Sequence, residues 1–158
     1  MDQPHEIDNV LRVQRIILLT MAAGLVTLSV IAAMVSQPTD PPPAGMLLIA
    51  LGGLAVVEVI AYGVLRSIVV TNLRARVEAF GENEDLFRHV LPATTILKLV
   101  GGAMAEGLGM FGAVIYLMTR STPALAAPAV SALVLLSLIP TRSGLIDFAS
   151  RISGRRLV

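Results

Sequence analysis

Residues 46–65 read MLLIALGGLAVVEVIAYGVL, and residues 95–118 read TILKLVGGAMAEGLGMFGAVIYLM. A helix that crosses a bilayer needs about 20 mostly apolar residues, and both runs meet that requirement. Each carries a carboxylate near its centre, Glu58 in the first and Glu106 in the second. An ionised side chain at the bilayer midplane costs at least ~2.5–3.5 kcal/mol on insertion scales. A carboxylate kept at that depth is by default a candidate for function.

Two further apolar runs lie outward along the chain, at 16–35 and 123–140. The first is too long for the apolar core of a secretory signal, roughly 7–15 residues. It therefore reads as a retained helix. The fourth is the shortest, with Pro123 at its opening, where proline is tolerated, and Pro128 placed to bend its outer end. Beyond 65, Ile68, Val69, Leu73, Val77 and Phe80 recur at helical spacing, so the second helix should run on to about residue 80, with Gly81 ending it. The expected fold is all-α, a four-helix transmembrane bundle forming one domain over 1–158. The segment 141–158 is amphipathic and reads either as an interfacial helix or as a solvated tail.

Basic residues fix an expected orientation. Arg12 and Arg15 precede the first run; Arg66, Arg74, Arg76 and Arg88 lie between the second and third; Arg142, Arg151, Arg155 and Arg156 follow the fourth. The other two connections hold only Arg120. The positive-inside rule then puts both termini and the middle connection in the cytoplasm, and the proline-rich 36–45 segment outside. A bacterial-type inner (plasma) membrane is the expected location.

Composition narrows the function classes. The 158 residues are 55% hydrophobic, with mean hydropathy +0.80. There is no cysteine, and the two histidines, His5 and His89, lie outside the apolar runs, so thiolate or zinc chemistry has few ligands to draw on. A net charge of +1 argues against nucleic acid as a partner. No nucleophile–base pair or phosphate-cradling loop is visible, so no catalytic residue is assigned and an enzyme is not expected.

The two carboxylates fall at one expected depth. Glu58 and Glu106 are each ~18 Å below the outer boundary, at a rise of 1.5 Å per residue. Two carboxylates meeting in a low dielectric would share a proton or hold Na⁺ or another cation. Tyr62 lies four residues beyond Glu58 on the same face and could satisfy it locally. Lys98 is a candidate counter-charge, or it can snorkel toward the headgroups. Gly101, Ala105, Gly109 and Ala113 place a small residue at every fourth position, a face for close helix packing within the chain or between copies.

The stretch 105–114, AEGLGMFGAV, resembles the ion-binding helix of the proteolipid subunits of rotary ATPases. That resemblance implies Glu106 as the ion-carrying carboxylate, and Glu58 as the second acidic group that some sodium-binding members place at matching depth. Helices one and four have no counterpart in a two-helix proteolipid. The chain as a whole looks like a small four-helix bacterial membrane protein. Two functions follow. One is a homo-oligomer that binds or conducts protons or cations through Glu58 and Glu106, with a proton or Na⁺ as sole cofactor. The other is a non-transporting accessory or scaffold subunit of a larger membrane complex. The lipid bilayer is a partner in both.

Overall fold

The computed structural model describes residues 3–35, 43–79 and 86–154, all of it built on helices. In order these are α1 (Gln3–Met34), α2 (Ala44–Ala79), α3 (Leu86–Thr119), a short 3-10 turn (Thr122–Leu125), α4 (Ala126–Ser137) and α5 (Arg142–Ser153). Within them, Ile7–Met34, Ala44–Val77 and His89–Thr119 are long and apolar enough to cross a membrane. The fourth run is shorter: Thr122–Ser137 qualifies only together with α5, from which it is bent by 76°.

Two helices begin earlier than their apolar runs. α1 opens at Gln3 because one face stays regular through the charged residues: Leu11, Gln14, Leu18, Ala22, Leu25 and Ala32 are all buried. Spacings of three and four keep them on one seam, while Asp8, Asn9, Arg12 and Arg15 sit on the exposed side. α3 opens at Leu86 and carries Pro92 inside it. The α2 extension ends at Ala79, in line with the spacing; Phe80, Gly81 and the proline-rich connection lie outside the described residues.

α3 is the hub. It packs against α1, α2, the 3-10 turn, α4 and α5, and α1 also packs on α4. Glycines let these helices approach. A Cβ on Gly112 would stand 2.5 Å from Ala127 Cβ, 2.9 Å from the Ala124 carbonyl oxygen and 3.0 Å from Pro128 Cδ. A Cβ on Gly109 would meet Leu25 at 2.7 Å and Ser131 Cβ at 2.9 Å. Lipid supplies no hydrophobic drive between helices, so this closeness, with the dispersion contacts it gives, is what holds them.

Three apolar clusters stack along the bundle. Leu51, Ile115 and Ala124 form one at the end carrying the 3-10 turn. Leu18, Ala22, Leu25 and Leu135 form the middle one. Leu73, Val90, Leu145, Ala149 and Ile152 form the third, with Ile7 and Val77 packed against it. This third cluster lies at the arginine-rich end and joins α2, α3 and α5. α5 is capped by the Thr141 hydroxyl, which accepts from the Gly144 N–H, and ends at Gly154 with φ 67°. Its apolar stripe faces protein.

The opposite end is fastened by Arg120, the residue after α3, whose φ is +56°. Its guanidinium donates to the Ala32 carbonyl at 2.9 Å and to the Val35 carbonyl, and it lies 5.3 Å from the Tyr116 ring centroid. These are carbonyls at the C-terminal end of α1, where a cation is favoured.

Gly112→Ala should cost about 1–3 kcal/mol through overpacking, whereas Gly107→Ala, whose Cβ meets nothing within 4 Å, should be neutral or gain up to ~1 kcal/mol of helix propensity. Thermal unfolding in detergent followed by circular dichroism reads both. Arg120→Ala should destabilise more than Arg120→Gly, by about 1 kcal/mol, because both lose the cap but only alanine keeps the left-handed strain.

Candidate functional site

The carboxylates come first. Glu58 on α2 and Glu106 on α3 are each half-buried. Among the described residues neither has a hydrogen bond or an ion pair, and neither lines the cavity described below. Each therefore lacks a polar companion among the described residues of one chain; a neighbouring copy is the other partner that the sequence leaves open to them. α2 is thinly covered: among its described residues only Leu51 and Leu73 are buried.

Tyr62 does not hydrogen-bond Glu58. Its ring lies on Gly101 instead, where an added Cβ would stand 2.8 Å from Tyr62 Cε2. The absence of a side chain at 101 gives α2 its seat on α3. The rest of the small-residue stripe is also used within the chain. Ala105 packs on the middle cluster, Gly109 faces Leu25 and Ser131, and Ala113 is fully buried. Lys98 is half-buried and forms no ion pair with Glu106.

What the fold does bring together is a half-open cavity of about 170 Å³ at the arginine-rich end, its wall largely apolar through Leu11, Leu97, Leu138, Leu145 and Phe148 but carrying several polar groups. Tyr62 and Arg66 reach it from α2, Thr94 and Lys98 from α3, Gln14 from α1, and Thr141 from the start of α5. Two of these, Tyr62 and Lys98, are sequence candidates; the other four are not. Gln14 carried the available signal, a polar residue on the otherwise apolar seam of α1.

Several of these groups are already fixed. Gln14 Nε2 donates to Thr95 Oγ1. Thr95 in turn donates to the Leu91 carbonyl at 2.7 Å. Thr94 Oγ1 spends its proton on the carbonyls of Val90 and Leu91, at 3.0 and 2.9 Å. Arg15 holds the link before α5 through the Pro140 carbonyl at 3.3 Å. Arg66 and Lys98 have no hydrogen bond or ion pair with another described residue. Among the described residues no group of three or more His, Asp or Glu converges as a metal site would require.

Gln14→Leu should cost no more than about 1 kcal/mol, since an interhelical side-chain bond in a membrane averages ~0.6 kcal/mol. Gln14→Ala should cost more, because it leaves a void beside Leu11 and Leu97. Unfolding temperatures of the two variants, compared in one detergent, give the order. No protein-family model, curated protein or solved structure matches the chain.

Proposed function

We infer that the chain is a multi-pass protein of a bacterial-type inner membrane, with both termini and the α2–α3 connection cytoplasmic, and that it serves as a non-transporting accessory or scaffold subunit. Four crossings are part of this reading. The 3-10 turn and α4 together rise ~26 Å, and Leu138–Pro140 complete the passage before α5 turns along the surface.

One observation carries it. α2 has 36 residues and α3 has 34, so each is ~50 Å long, against a hydrocarbon thickness of ~30 Å. The surplus is gathered at the arginine-rich end, where Leu73, Val90, Leu145, Ala149 and Ile152 give it a hydrophobic core of its own. A head with its own core, carrying exposed Arg74, Arg76 and Arg151, suits docking to an acidic partner surface.

The second reading, a homo-oligomer handling protons or Na⁺, is favoured by Glu58 and Glu106 themselves. Half-buried carboxylates in apolar spans, without partners among the described residues, would be completed by a neighbouring copy. The proteolipid resemblance belongs to this reading.

Native purification in a mild detergent separates the two. The scaffold reading expects co-purifying proteins at fixed stoichiometry, lost from Arg74→Glu/Arg76→Glu while the helical spectrum is kept. It also expects no proton or Na⁺ flux in liposomes above empty vesicles. A pure homo-oligomer, with flux abolished by Glu58→Gln or Glu106→Gln, would overturn it.

A further inference from the structure

The cavity at the arginine-rich end brings two cations to one space, Arg66 and Lys98, and among the described residues no carboxylate lines it. They come from different helices, so the tertiary fold, not local sequence, sets them side by side. Lys98 offers three N–H donors and Arg66 five, and neither accepts. Long basic side chains at a membrane boundary ordinarily extend into water; here Lys98 is half-buried in the wall of the hollow, and Arg66, itself exposed, stands at its open side.

The remaining wall strengthens the bias toward an anion. Thr141 Oγ1 accepts from the Gly144 N–H at 3.1 Å and from Ser143 Oγ at 3.4 Å, and neither bond uses its own proton. Thr141 and Gly144 also bring the positive end of α5, a 12-residue helix, to the cavity, and that end attracts negative charge. Tyr62 adds a phenolic O–H. Gln14, only 3% exposed and tied to Thr95, is a rigid side of the hollow.

Size and level define the ligand. About 170 Å³ lies below the ~300 Å³ lower end of pockets for drug-sized molecules, so the hollow takes a compact anionic group and leaves the rest of a larger ligand outside. Donors arriving from α2, α3 and α5 suit a tetrahedral group with three or more charged or accepting oxygens, as in phosphate, better than a planar carboxylate with two. Arg66 directly follows the apolar run 46–65, and Lys98 is near the start of the run 95–118. This is the level of lipid headgroups.

We propose that this cavity is a binding site for a phosphate group, carried by an anionic lipid at that level or supplied as free phosphate. The site does not depend on either reading of function above.

The test uses the full chain in a maltoside detergent, with unfolding temperature followed by circular dichroism. Three additions are titrated separately: inorganic phosphate, phosphatidylglycerol, and an uncharged glucosyl diacylglycerol. The wild type is expected to be stabilised by phosphatidylglycerol, by inorganic phosphate, or by both, and not by the glycolipid. Response to phosphatidylglycerol alone identifies a lipid site; response to inorganic phosphate identifies a soluble one. Arg66→Gln/Lys98→Gln is expected to weaken the response roughly tenfold or more, the scale of hydrogen bonds to a charged group. Lys98→Arg and Arg74→Gln, the latter outside the cavity, are expected to retain it. Should the double variant fail to fold, Lys98→Met against Lys98→Arg asks the same question. Equal stabilisation by the glycolipid, no response to either phosphate source, or equal loss in Arg74→Gln would overturn the proposal.

Discussion

No side chain fits between α3 and the start of α4: a methyl group on Gly112 would stand 2.5 Å from the Cβ of Ala127 and 2.9 Å from a backbone oxygen. The rest of the architecture follows from that closeness. α3 can touch all its neighbours at once because Gly101, Gly102, Gly109 and Gly112 each present bare backbone to a different side chain: Tyr62, Leu18, Leu25 and Ala127 in turn. Glycine in a helix interior costs about 0.5–1 kcal/mol relative to alanine. α3 bears that cost at five positions, Gly107 included, and at the four named the return is dispersion contacts along α1, α2 and α4 that lipid cannot replace. Within the same interface Ser131 is buried with its hydroxyl unpaired, so even a polar atom is accepted there for the sake of fit.

Polar groups inside the spans are handled in two ways. Hydroxyls bond back to their own helix: Thr20 to Ile16, Thr27 to Ala23 and Ser29 to Leu25, at 2.8–2.9 Å. This satisfies them where no water is available. Charges are pushed to the ends. Arg120 is absorbed by the carbonyls closing α1, which gives the lone arginine of that end a structural task. Arg66 and Lys98 gather at the other end. Glu58 and Glu106 fit neither pattern, and for that reason they stay of interest.

Much of the helical layout was legible in residue order, because long apolar runs have few alternatives in a chain this hydrophobic. The α2 extension was readable from the 68–77 spacing. The early start of α1 was hidden because Arg12 and Arg15 interrupt the apolar run without interrupting the seam of Leu11, Gln14 and Leu18. The packing role of the Gly101–Ala113 stripe was visible, but not its partners, since identical small residues serve contacts inside a chain and between chains. The cavity was least accessible. Arg66, Lys98 and Thr141 are far apart in sequence and become neighbours only when α5 folds back on α2 and α3. Depth along the helices could be counted for Glu58 and Glu106; which way each face turns could not.

α5 has an implication for the order of assembly. α2 rests on α3 and α5, and α5 follows every other helix in the chain. As synthesis proceeds from the N-terminus, α2 is held on one flank until α5 emerges and clasps the other. α5 is thus the latch on the second helix, and a chain cut before Arg142 would leave that flank of α2 uncovered.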